Sequence, residues 1–321
     1  MARLTKILAI DGGGLRGIIP ATVLMEIEKR TGKRVAQLFD MVAGTSTGGI
    51  LAAGLAKPGA DGQPQYTAGD LRELYFAEGK TIFPQPPFPV SWWNEVRRPF
   101  AEKYDSAGIE GVLKKYFGES RLKDSCCDLL LTSYEIRLRQ PWFFRSDRAR
   151  ENAGYDFPLW EAARATSAAP TYFAPARIGR PEPGDAWMLI DGGTYANNPA
   201  LCAFAEARQR DPDGEVFLVS LGTGRHAQAI DYRPGLLGWA KPILDVVFDG
   251  VSRTTEYQLE QLLPPVRGQK RYYRFQTDLT VAGDAMDDPA PASLQRLKQQ
   301  AEELVQDQLP QLEEVCARLV M

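Results

Sequence analysis

The stretch LFDMVAGTSTGGILAAGLA, residues 38–56, passes from apolar residues through a small-residue turn and back into apolar residues. Asp40 and TSTGG interrupt it. It therefore predicts a buried strand over 38–44, a turn and a helix start, not a membrane span. GTSTG at 44–48 fits G-x-S-x-G. Small residues two before and two after Ser46 permit a sharp strand-to-helix turn, which lifts a serine hydroxyl clear of its neighbours.

Upstream lies ILAIDGGGLRGIIP, residues 7–20, where Gly12, Gly14 and Gly17 fit G-x-G-x-x-G after an apolar run. A dinucleotide site with this spacing needs an acidic residue about 20 positions on, at the end of the second strand, to hold the ribose. Asp40 is near that distance, but it precedes the strand end, which GTSTG occupies. An oxyanion fits better. Gly13 and Gly14 have no side chains to block approach, and their N–H groups sit near the start of the following helix.

Further out, strands and helices alternate. TKILAI (5–10), LFDMVAG (38–44), CDLLLTSYEI (127–136), AWMLIDGG (186–193), EVFLVSLGTG (215–224) and RYYRFQT (271–277) read as strands. Helices are expected over 18–32, 48–57, 68–79, 158–170, 197–209 and most of 236–263. A long amphipathic helix follows at about 292–320, with a break near Pro310. Pro20 suits the first turn of the first helix and Gly32 its exit; Asn197 or Asn198 with Pro199 starts the helix at 197–209. The alternation implies one α/β domain over 1–321, a three-layer α/β/α arrangement with a mostly parallel central sheet. Sites in such sheets form beyond the C-terminal strand ends, where DGGG, GTSTGG, DGG and GTG all fall.

One region breaks the pattern. TIFPQPPFPVSWWNEVRRPF, 81–100, carries five prolines, two tryptophans and three phenylalanines. It cannot be a regular element. It reads either as a packed surface loop or as a lipid-contacting lid, since Trp and Phe beside Arg97 and Arg98 suit a membrane interface.

Bulk composition excludes some functions. With a net charge of −3 over 321 residues, no global basic field exists to hold nucleic acid. The four cysteines (Cys126, Cys127, Cys202, Cys316) form no C-x-x-C pair and read as reduced thiols of a cytosolic protein. One histidine, His226, argues against a His-rich metal site. No metal or cofactor is expected, and MARLTKILAIDGGG is not a secretory signal.

A serine nucleophile needs a base. Ser46, Asp191 and His226 follow the chain order of a Ser–Asp–His triad. Against that, the nucleophile comes very early, and His226 reads as a loop histidine. Asp191 is the other candidate base. It ends a strand, and burial would make it more basic than a free Asp. By itself, DGG would equally suit a plain turn.

Taken together, DGGGLRG, GTSTGG, ATSAAPTYFAP (165–175) and DGGTYANNP (191–199) resemble the patatin-like phospholipases in order and spacing, with SLGTG (220–224) and MDDPAPASLQRL (286–297) similar to bacterial members. The resemblance spans roughly residues 5–305. It implies a lipid acyl hydrolase of phospholipase A or lysophospholipase type, with Ser46 as nucleophile and Asp191 as base in a dyad. It also implies an oxyanion hole from Gly12, Gly13 and Gly14, with Arg16 in support, steadying the loop or attracting a lipid phosphate. The expected partner is a phospholipid or lysophospholipid reached by peripheral membrane contact, from the cytoplasm or the inner membrane. Alternatives are an effector of antiphage defence activated by a cyclic nucleotide and, with less support, a non-catalytic dinucleotide-binding module.

Overall fold

The computed structural model describes residues 4–85, 102–179, 186–226, 242–283 and 285–321. Nearly all of the Pro- and aromatic-rich loop at 81–100 lies outside the described residues, as does 227–241. Among the described residues one sheet has eight strands. They are β1 (Leu4–Ile10), β2 (Met41–Gly44), β3 (Asp128–Glu135), β4 (Gln140–Arg145), β5 (Ala176–Gly179), β6 (Ala186–Asp191), β7 (Glu215–Leu221) and β8 (Tyr272–Phe275). The parallel part runs β3-β2-β1-β7-β8, and β4 and β6 both pair antiparallel with β3.

Strand alternation sorts the core into two layers, because successive side chains point to opposite faces. Leu8, Ile10, Val42, Leu129, Leu131, Val219 and Phe275 belong to one apolar cluster; Ile7, Ala9, Met41, Ala43, Leu130 and Leu218 belong to another. The first face is covered by helices α1 (Ile18–Thr31), α2 (Thr47–Ala56), α3 (Ala68–Ile82), α4 (Ser106–Phe117) and α5 (Leu159–Thr166). The second carries α6 (Ala200–Arg210) and the end of α7 (Pro242–Leu262). The C-terminal residues form two helices, α8 (Pro291–Asp307) and α9 (Leu309–Val320), both packed into the first layer. This is the three-layer, mostly parallel α/β/α fold.

Several boundaries differ from the sequence expectation. Strand β2 starts at Met41, because Val35–Leu38 makes a helical turn. Helix α5 stops at Thr166, four residues before Pro170. Strand β4 and helix α4 were not anticipated. Gly32 takes the left-handed exit of α1 with φ 67; Pro199 is the N-cap of α6, and Asn198 Oδ1, one residue before it, accepts from the Ala200 N–H at 3.0 Å.

Pairing on β3 explains how distant strand ends meet. Strand β4 occupies one edge over residues 130–135. Both β2 and β6 must therefore lie on the other edge, β2 along 128–131 and β6 along 133–135. They approach head to head. Gly44, at the end of β2, pairs with Leu131, while Asp191, at the end of β6, pairs with Ser133. An antiparallel β6 thus delivers its C-terminal carboxyl to the site where β2 turns into α2.

Candidate active site

Ser46 sits between β2 and α2 with φ 55 and ψ −125. A non-glycine residue in this region costs about 1–3 kcal/mol, so its surroundings must hold it there. The flanking glycines are required by space. A Cβ on Gly44 would strike the Gly48 carbonyl, and one on Gly48 would strike the Ile10 carbonyl. Gly49 packs as closely on the Thr166 side chain. The Ser46 N–H donates to Thr166 Oγ1 at 2.9 Å, so the elbow's own first N–H is committed.

Asp191 lies beside the serine. It is buried, at 2% exposure, and Ser46 lies close enough to act on its carboxyl. Its Oδ1 also accepts from the Gly193 N–H at 2.7 Å. Burial raises its pKa from 3.8 to about 7, and the bonds from Ser46 and Gly193 only partly oppose that. Its backbone N–H donates to Ala168 O at 3.0 Å, which ties the loop after α5 to the site.

The glycine loop closes the arrangement. A Cβ on Gly12 would come within 2.5 Å of Asn197 Oδ1 and 3.2 Å of Ser46 Cβ, so the loop backbone lies directly against Ser46. The Gly12 N–H donates to Asn197 O at 3.1 Å. Of the three glycines expected to donate, Gly12 therefore has its N–H already engaged. Among the described residues, the N–H groups of Gly13 and Gly14 have no hydrogen-bond partner. Gly14 has φ 58 and backs onto the Met286 carbonyl, which also accepts from the Leu15 N–H at 2.7 Å. Arg16 is buried, and its Nε lies 3.4 Å from Gly13 O.

These groups line one cavity of about 620 Å³ with Phe83, Tyr172, Phe173, Phe248 and Met286 as its apolar wall. Its size suits a small-molecule site. His226 also lines it, with Nε2 3.5 Å from Arg16 Nη1. Ser46 acts on the Asp191 carboxyl, whereas a polar contact of His226 is to Arg16. Asp40 lies at the opposite end of β2, where Oδ2 accepts from the Lys6 N–H at 2.7 Å. It cannot serve a ribose at the glycine loop, and the dinucleotide reading falls. No group of three or more His, Cys, Asp or Glu among the described residues could hold a metal.

A sequence profile described as patatin-like phospholipase matches residues 8–204. The chain belongs to the patatin-like phospholipase family. "Patatin-like protein 2" of Arabidopsis thaliana is 34% identical over 317 residues, which cover 88% of this chain and 77% of that protein. "Probable inactive patatin-3-Kuras 1" of Solanum tuberosum is 29% identical, covering 95% and 87%. Its name shows that membership of the family alone does not establish activity. Among solved structures, VipD from Legionella pneumophila aligns over 94% of this chain and 67% of its own, at 12% identity and a TM-score of 0.41.

Sequence reasoning placed Asp11 as a brace of the glycine turn but missed its partner and several other residues that hold this patatin-like site together. Asp11 is clasped by Arg274 of β8 through Nη1 to Oδ1 at 2.8 Å and Nη2 to Oδ2 at 2.6 Å. Thr223 Oγ1 donates to Gly12 O at 2.6 Å. Asp287, in MDDP, accepts from Lys103 and from the Tyr104 hydroxyl, closing one side of the cavity. Arg164 supports the cavity wall by donating to Ala174 O at 2.7 Å. The one available signal was a charged residue inside an otherwise apolar strand, as with Arg274 in RYYRF.

Proposed function

We propose that the chain is a lipid acyl hydrolase that cleaves carboxylic esters of glycerophospholipids through Ser46, Asp191 and an acyl-serine intermediate. The observation that carries this reading is a strained, loop-borne serine that lines the same cavity as a buried carboxyl whose pKa is raised to about 7. A base poised near the working pH combines the right protonation state with enough driving force for proton transfer.

In the proposed reaction the Asp191 carboxylate takes the Ser46 proton as Oγ attacks the ester carbonyl. The carbonyl π pair moves to oxygen, and the Gly13 and Gly14 N–H groups hold the resulting oxyanion. Collapse of the tetrahedral adduct expels the alcohol, which receives its proton from Asp191. Asp191 then deprotonates a water that attacks the acyl-serine, and the second collapse returns the proton to Ser46 and frees the fatty acid. The acyl chain lies against Phe83, Tyr172, Phe173 and Met286. No helix among the described residues is long and apolar enough to cross a membrane, and the proposed contact with a bilayer is peripheral.

Mass spectrometry of products from mixed phospholipid vesicles tests this. Wild-type protein should release fatty acid and a lysophospholipid, and Ser46→Ala should release neither. Activity only after a cyclic nucleotide is added would establish the ligand-activated alternative. No hydrolysis in either condition, with Ser46 unlabelled by a fluorophosphonate, would overturn the reading.

A further inference from the structure

Resting on the Ser46–Asp191 reading, we propose that Thr223 is a positioning residue that aims the Gly13 N–H at the reacting carbonyl oxygen. A trans peptide unit is planar, so its C=O and N–H point in opposite directions. Whatever holds the Gly12 carbonyl therefore sets the direction of the Gly13 N–H. That group is the Thr223 hydroxyl, 2.6 Å away, on a side chain that is 3% exposed.

The sheet places Thr223 for this task. Ile10 and Leu221 are register partners on the parallel strands β1 and β7. Gly12 and Thr223 each lie two residues beyond those partners, so they leave the sheet side by side. A Cβ on Gly13 would collide with Thr223 Oγ1 and Cβ, so the threonine rests directly on the loop. Thr223 is itself braced on both sides. The Gly222 N–H donates to Phe275 O and the Gly224 N–H to Gln276 Oε1, each at 2.8 Å. The neighbouring peptide is held separately, because Gly13 O accepts from the Arg16 N–H at 3.2 Å and faces Arg16 Nε. The two oxyanion donors are thus aimed by two different side chains, and the Thr223 hydroxyl governs only one.

Thr223→Val removes the hydroxyl and keeps the shape; Thr223→Ser keeps the hydroxyl. Outright loss of an oxyanion donor costs about 10²–10³ in kcat. A donor that is present but misdirected should cost less, about 10- to 100-fold for Thr223→Val on a p-nitrophenyl ester, with KM changed less than about threefold. Thr223→Ser should recover to within about threefold of wild type. A long-chain alkyl trifluoromethyl ketone gives a second readout. Ser46 Oγ adds to its carbonyl carbon, the π pair becomes the oxyanion and the proton passes to Asp191. Thr223→Val should weaken this inhibitor by the same factor as kcat, while inhibition by the matching free fatty acid stays within about threefold. If Thr223→Val does not fold, Thr223→Ala takes its place with the same expectations. Equal impairment of the valine and serine variants, or equal weakening of both inhibitors, overturns the proposal, as does a valine variant with wild-type kcat. A wild type that neither hydrolyses the ester nor labels with a fluorophosphonate sinks the dyad and this proposal together. An active, Ser46-dependent wild type with a silent Thr223→Val sinks this proposal alone.

Discussion

Two buried aspartates meet at the site from strands of opposite direction, Asp11 just after β1 and Asp191 at the end of β6: Asp11 is 1% exposed and Asp191 is 2% exposed. Their partners differ. Asp11 receives both Nη groups of Arg274, and Arg274 is tied in turn to Ser220 at 2.8 Å. Asp191 receives the Gly193 N–H and has Ser46 nearby. The first carboxyl is committed to an ion pair that holds the start of the glycine loop. Burial pushes both carboxyls up; at Asp11 the Arg274 guanidinium opposes it, and at Asp191 Ser46 and the Gly193 N–H do so. The same residue type is clasped by a guanidinium in one place and, in the proposed reaction, serves as the base in the other.

Substitutions can break that contrast. The largest effect is expected on activity: Asp191→Asn should lower kcat by about 10⁴-fold, as loss of function in a catalytic aspartate does elsewhere, and Ser46→Ala by at least as much. Steady-state ester hydrolysis on folded variants checks both. Next comes Arg274→Met. Removing one partner of a buried ion pair costs about 3–5 kcal/mol, so denaturant unfolding should show a loss of that size. Adding Asp11→Asn to Arg274→Met should restore part of it.

The third effect has the opposite sign. The folded pKa of Asp191, about 7, lies above the ordinary value of 3.8. Between those values the folded chain holds a proton that the unfolded chain releases, so this group's contribution to stability falls as pH rises from 3.8 to 7. Above pH 7 the loss is complete, with an upper limit of about 4 kcal/mol at about 1.4 kcal/mol per pH unit. Asp191→Asn should therefore be more stable than wild type at pH 8 and lose that advantage towards pH 4, which thermal melts at both pH values would show. The smallest effect belongs to His226→Ala. The rate should fall by no more than about threefold; a collapse of several hundredfold would restore histidine as the base.

Much of this site was legible in the sequence, for identifiable reasons. Residues Ser46, Gly44 and Gly48 announce an elbow because no other residue type fits the space at the two glycines. The apolar runs of β1 and β7 read as buried parallel strands because both of their faces are covered. The direction of β6 was not legible. AWMLID reads alike in either orientation, yet its antiparallel pairing with β3 is what brings Asp191 to Ser46. The engagement of the Gly12 N–H was not legible, because its backbone partner, Asn197, lies far along the chain. The same holds for Arg274, separated by 263 positions from Asp11, and Thr223, separated by 211 from Gly12. Local patterns mark where a turn must be. They do not name the distant side chain that fixes its carbonyls.

The dyad is tested most directly by the pH dependence of the rate at which a fluorophosphonate labels Ser46. With Asp191 as the base, the rate should rise about tenfold per pH unit below about 7 and level off above it. Asp191→Asn should label far more slowly at every pH. A rate independent of pH between 5 and 9, or an Asp191→Asn protein that labels as fast as wild type, would contradict the account.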